Sequence, residues 1–135
     1  MGNIHSDKDL ANLLFVTMCD WRCSAESDLV IRVGTVCSGS ELYMAVFRHL
    51  EVELLARYDL RVIFKHEWSC EIKAEKRQWI HENFSPAMIF GDVVGLAKTG
   101  TAHDYVSGEL RRATPVDLVI AGTSCKDASR LHMKL

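Results

Sequence analysis

Four short stretches of this chain combine reactive or hydrogen-bonding side chains with the punctuation that ends a strand. The most informative is Val116-Asp117-Leu118-Val119-Ile120-Ala121-Gly122-Thr123-Ser124-Cys125, an apolar run that breaks into a tight turn carrying a cysteine. Only the thiolate is a nucleophile, and an ordinary thiol with a pKa of about 8.5 needs a neighbouring cation to ionise at neutral pH. Lys126 follows directly and can supply that field; a buried, inert cysteine is the alternative. In Gly34-Thr35-Val36-Cys37-Ser38-Gly39-Ser40-Glu41 small residues would let the backbone approach a nucleotide-like ligand at a helix start. The spacing is not the GxGxxG of dinucleotide sites, and a plain tight turn is the other reading. At Ser69-Cys70-Glu71 the glutamate can accept both hydroxyls of a ribose, or stand solvated at the positive end of a helix. At Gly91-Asp92-Val93 the aspartate can accept from an exocyclic amine, or cap the next segment.

The elements that must position these residues alternate between strand and helix. Leu29–Val36 is a β-branched run, and Glu41 to about Arg57 has helical spacing with Leu42, Ala45, Val46 and Leu50 on one face. A strand near 61–69 comes next, then a helix near 73–83, a strand at 88–90, a polar helix near 102–112 and, past Pro115, a fourth strand. Such alternation predicts an α/β fold with an open parallel sheet and right-handed crossovers. Gly39, Glu71, Asp92 and Cys125 then fall at successive strand ends on one sheet edge, where open α/β sheets bind ligands.

At 135 residues, 48% of them hydrophobic, the chain is long enough to bury one real core. Its formal charge of −2 gives no global basic field, so any nucleic-acid contact must come from a local patch or from a region outside this sequence. Five cysteines, an odd number and sparsely spread, do not make a secreted disulfide framework. A reducing nucleus or cytoplasm fits them. No apolar run reaches the roughly 18 residues that cross a bilayer, so no membrane partner is expected. Residues 1–28 read as an N-terminal amphipathic helix and link, with Leu10, Leu13, Leu14, Met18 and Trp21 at helical spacing and Ser6 and Asp9 as a capping box. Cys19 and Cys23 lie four apart there, but no second pair completes a zinc set and no metal is expected. The opening Met1-Gly2-Asn3-Ile4-His5-Ser6 matches a short myristoylation pattern, which is weak by itself.

Taken as a series, these motifs resemble the N-terminal half of the catalytic domain of cytosine-5 DNA methyltransferases. Cys37-Ser38-Gly39 is similar to the family's Phe-Ala-Gly or Phe-Ser-Gly turn, and Glu71, twelve positions before Asn83-Phe84, to its ribose-binding glutamate. Gly91-Asp92-Val93 resembles its Gly-Asp-Ile or Gly-Asp-Val, and Asp117 through Cys125 to Ser129 the segment around Gly-Pro-Pro-Cys-Gln-x-x-Ser. The resemblance implies a Rossmann-like methyltransferase fold over residues 29–135, here the N-terminal half only. It implies S-adenosyl-L-methionine as cofactor, held by Cys37, Ser38, Gly39, Glu71, Ile72, Asp92 and Val93, with Cys125 the catalytic nucleophile toward a flipped-out cytosine of DNA.

Ser124 stands where the family has proline, Lys126 where it has glutamine and Cys37 where it has an aromatic; this Thr-Ser-Cys type resembles a divergent eukaryotic branch. The family's Glu-Asn-Val motif, its arginine motif and its target-recognition region do not occur within this sequence. The expectation is therefore of an incomplete catalytic domain, inactive alone, with DNA contacts made through a further C-terminal region or a complementing protein half. The alternatives are a non-catalytic interaction module and a methyltransferase acting on another substrate.

Overall fold

The computed structural model describes residues 28–37 and 41–122. Among these, the strands are β1 (Leu29–Val36), β2 (Val62–Cys70), β3 (Met88–Phe90), β4 (Thr101–His103), β5 (Leu110–Arg112) and β6 (Leu118–Ala121). The helices are α1 (Leu42–Tyr58), α2 (Ala74–Phe84) and α3 (Val93–Thr99). The expected helix over residues 6–21 and the turns carrying Ser38, Gly39 and Cys125 lie outside the described residues, as do Cys19 and Cys23. No described helix is long and apolar enough to cross a membrane.

Contacts divide the described chain into two compact units, residues 28–31 with 42–65, and residues 32–37, 41 and 66–122. In the first unit α1 buries Met44, Leu50 and Leu54. Phe47 stacks on Phe64 with ring centroids 4.3 Å apart, and the Glu51 carboxylate accepts the Phe64 N–H at 2.6 Å. The buried face therefore runs through Met44, Phe47, Leu50 and Leu54; Leu42, expected on it, is 64% exposed. Both choices satisfy helical spacing, and the aromatic stack selects between them.

The second unit holds the ends of a four-stranded sheet in the order β3-β2-β1-β6, an α/β, Rossmann-like arrangement. β1 pairs with β6 in parallel, with Val33 opposite Leu118, and β2 pairs with β3 in parallel, with Ser69 opposite Ile89. The chain thus builds outward from β1 through β2 to β3, then returns to the other side of β1 for β6. That reversal creates the switch point at which open α/β sheets form a ligand crevice. Asp117 sets the last strand: its carboxylate accepts from the Arg32 N–H at 2.8 Å and from the guanidinium at 3.2 Å, while its own N–H donates to the Arg32 carbonyl.

Trp68 centres the core of this unit with Cys70, Met88, Phe90 and Ala102, and Val36, Ala113 and Val116 pack around it. Its indole N–H donates to the Thr114 carbonyl at 2.9 Å, and its ring meets Phe90 edge-on at 6.4 Å. A methyl group at Gly34 would collide with the six-membered ring of Trp68. Gly34, one of the small residues of the stretch expected to approach a ligand, lies inside β1, and its missing side chain makes room for a tryptophan.

The expected polar helix over residues 102–112 is instead the antiparallel hairpin β4–β5, and the helix lies earlier, at α3. Asp92 caps α3 by accepting the Val94 N–H at 2.9 Å, and Gly100 closes it in the left-handed region. Polar side chains at helix-compatible spacing mislead here because they bind locally. Asp104, fully buried, accepts from the N–H groups of Ile89, Val106 and Ser107 and from the Ser107 hydroxyl, and Gly108 takes a φ of 77° in the turn. Together with an antiparallel bridge between Phe90 and Asp104, these bonds cover the outer edge of β3. Burial alone would raise the Asp104 pKa, but the hydrogen bonds from Ser107, Ile89 and Val106 outweigh it and hold it below the usual value.

Replacing Gly34 with Ala should destabilise the protein by about 1–3 kcal/mol through overpacking against Trp68, measured by chemical denaturation. Because Asp104 is depressed in the folded state, its stabilisation should be complete above the unfolded aspartate pKa of about 3.9 and be lost as pH falls through the folded value. Asp104→Asn should flatten that acid limb in melts recorded across pH, while lowering stability at neutral pH by roughly 1–3 kcal/mol.

Candidate functional site

β2 and β3 run parallel and therefore deliver Glu71, Ile72, Gly91 and Asp92 to the same sheet edge. Glu71 N–H donates to the Phe90 carbonyl at 2.9 Å, which joins the two strand ends. The Glu71 side chain is 5% exposed, and one of its oxygens accepts the Lys73 N–H at 3.0 Å just ahead of α2. Ile72 is 76% exposed, an apolar side chain left open beside a buried carboxylate.

A cavity of about 320 Å³ opens at this edge, lined by Ile72, Arg77, Gly91, Asp92, His103 and Tyr105. Its size lies at the lower end of the range for small-molecule sites. The structure thus unites Ile72 and Asp92, which the sequence grouped, while Glu71 stands immediately before Ile72 at the end of β2. Asp92 performs the capping role open to it in the sequence and lines the cavity as well. Val93, the first residue of α3, is 39% exposed and is not among the cavity-lining side chains.

Arg77, His103 and Tyr105 were not singled out in the sequence. Arg77 belongs to α2 and donates from Nη1 to the carbonyls of Glu71 at 3.0 Å and Ile72 at 2.5 Å. His103 and Tyr105 come from the hairpin segment that periodicity read as helix, so its true geometry was needed to bring them here. The available signal was turn chemistry, Asp104 followed by Gly108.

At the end of β1, Cys37 is exposed and its N–H donates to the Cys70 carbonyl at 2.8 Å. Cys37 and Glu41 both adopt left-handed backbone conformations, φ 52° and 51°, which cost non-glycine residues roughly 1–2 kcal/mol each. Buried hydrogen bonds engage Glu41: it accepts from the Thr35 hydroxyl at 2.8 Å and the Ser69 hydroxyl at 3.1 Å, and Ser69 lies 2.8 Å from the His66 ring. This cluster links the ends of β1 and β2 through Thr35 and Ser69; Ser38 and Gly39 lie outside the described residues.

Burial pushes the Cys70 thiol up to about 12, and the nearby Asp92 and Glu71 carboxylates add to the effect. Cys70 is therefore a packing residue beside the site. The expected nucleophile, Cys125, lies beyond β6 and outside the described residues.

Fold and site together define an open α/β sheet of Rossmann-like class, with acidic residues and a cavity at the strand ends. Two curated proteins are similar to the chain, each named DNA (cytosine-5-)-methyltransferase DMT5. The one from Cryptococcus neoformans var. grubii is 37% identical over 102 residues, 76% of this chain and 4% of that protein. The one from Verticillium dahliae is 35% identical over 118 residues, 82% of this chain and 5% of that protein. No family model matches the chain. The chain is similar over most of its length to these two proteins, and it spans about one-twentieth of their length.

Because only the thiolate reacts appreciably, Cys37 should be alkylated by iodoacetamide at pH 8 in the folded protein while Cys70 is spared. Peptide mass spectrometry with and without denaturant reads the difference, and equal labelling of both under native conditions would contradict the assigned environments.

Proposed function

We propose that this chain carries the S-adenosylmethionine half-site of a DNA cytosine-5 methyltransferase. The observation that carries the reading is the cavity joining Ile72, Gly91 and Asp92 at the strand ends, with Glu71 adjoining. Their chemistry fits the group: the adenosine moiety offers hydroxyl and amine donors, the site offers carboxylate acceptors, and Ile72 offers an apolar face for a ring.

In this reading Glu71 accepts the ribose hydroxyls, Asp92 accepts the adenine amine, and Ile72 and Val93 flank the ring. Cys37, Ser38 and Gly39 are assigned to the methionine end on the resemblance of their motif alone. The bound cofactor supplies an electrophilic methyl group. Cys125 would add as thiolate to carbon-6 of a flipped-out cytosine, making carbon-5 nucleophilic enough to take the methyl as its bond to sulfur breaks and S-adenosylhomocysteine leaves. Loss of the carbon-5 proton to a base and departure of the thiolate from carbon-6 then restore the ring. DNA is the proposed substrate, and the names of the two relatives support it.

A second reading, an interaction module completed by a protein partner, is favoured by β6, an edge strand of the described sheet with Leu118 37% and Val119 53% exposed. Calorimetric titration with S-adenosylhomocysteine separates the two. The half-site reading expects saturable binding that Glu71→Gln weakens roughly ten- to a hundredfold, as the loss of hydrogen bonds to a charged acceptor requires. An interaction module without a cofactor site gives no binding in either protein.

A further inference from the structure

We propose that Tyr105 is a further ligand-contacting residue, the aromatic wall of the purine subsite, and that Arg77 positions it. The proposal rests on the cofactor reading above. Tyr105 lines the same cavity as Ile72, Gly91 and Asp92, and it is 50% exposed there. A methyl group built at Gly91 would lie 2.9 Å from its ring and 3.1 Å from its hydroxyl, so the phenol stands directly over the strand end.

Three contacts hold this ring in place. The Arg77 guanidinium covers it at 3.9 Å from the centroid, and His103 meets it at 4.8 Å with the planes 86° apart. The Tyr105 N–H donates to the Ile89 carbonyl at 2.7 Å, next to the buried Asp104 network. A ring held this firmly loses little freedom when a ligand covers it, which is the condition for efficient stacking. A planar purine also suits an aromatic wall: the base buries apolar surface there, and offset or edge-on ring contacts add to that burial.

Arg77 acts through others. Its Nη1 binds the carbonyls of Glu71 and Ile72, the residues assigned to the ribose and the ring, while its face supports Tyr105. One side chain therefore sets the position of the β2 turn and of the wall together. A lysine in its place retains the charge and a donor but lacks the planar fork and the stacking face.

The test is an adenosine titration of the full chain with ¹³C-labelled tyrosine, the Tyr105 signals being assigned from Tyr105→Phe. The wild-type Tyr105 ring resonances should shift as adenosine saturates and stay in place when homocysteine alone is added. Tyr105→Ala should weaken both adenosine and S-adenosylhomocysteine roughly five- to tenfold, whereas Tyr105→Phe should bind within about twofold of wild type. Arg77→Lys should displace the Tyr105 resonances in the free protein, and combining it with Tyr105→Ala should weaken binding no further than Tyr105→Ala alone. If wild type binds adenosine while its Tyr105 signals stay still and Tyr105→Ala binds equally well, the proposal is overturned and the cofactor reading survives. If wild type binds neither adenosine nor S-adenosylhomocysteine, both fall. Should Tyr105→Ala fail to fold, the wild-type ring resonances decide by themselves.

Discussion

The second unit is organised around the fit of Trp68 to Gly34. The indole fills the space that any side chain at position 34 would need, and from there it reaches every neighbour that matters. It meets Phe90 of β3, bonds the carbonyl of Thr114 ahead of β6, and packs among Val36, Ala113 and Val116. Two sheet strands, the end of a third and the approach to a fourth are thus brought to a common core by one ring. Without that convergence the strand ends would lose their shared frame, and it is the frame that makes scattered residues into a site.

Parallel pairing then does the positioning. Because β2 and β3 run the same way, the residues after each strand emerge on the same edge, and the Glu71 N–H to Phe90 carbonyl bond holds those exits together. The resulting edge carries carboxylates, and their charge adds to the burial that suppresses ionisation of Cys70 behind it. On the other side of β1, Arg32 and Asp117 determine where β6 pairs, and so where the chain leaves the sheet toward Cys125. Asp117, part of the motif that first drew attention to Cys125, thereby has a structural task of its own.

The hairpin after α3 serves two ends. An outer parallel strand presents unpaired backbone groups, and here the Asp104 carboxylate accepts the Ile89 N–H while the Tyr105 N–H donates to the Ile89 carbonyl. In doing so the hairpin carries His103 and Tyr105 to the cavity. Protection of the sheet edge and construction of the site wall are consequences of one buried carboxylate.

Much of this was legible in the sequence because it depends on local pattern. The β-branched run Leu29–Val36 and the short run Met88–Phe90 form strands over those residues, and β2 is offset from its expected range by one residue. The alternation of strand and helix required a parallel sheet, and that alone placed Glu71 and Asp92 on one edge. Tertiary structure decided the rest, because the deciding energies there come from groups distant along the chain. Helical spacing allowed either Leu42 or Met44 on the buried face of α1, and the stack of Phe47 on Phe64 chose Met44. That position 34 must be glycine is decided by Trp68, 34 residues later, whose ring fills the space a side chain there would need. Residues 102–112 have a polar pattern compatible with a helix, yet Asp104 gains more by accepting the Ile89 N–H across 15 residues than by facing solvent on a helix, so the segment turns back as a hairpin. Residue types and order along the chain determined which groups reach the strand ends; only packing decided which of them enclose a cavity.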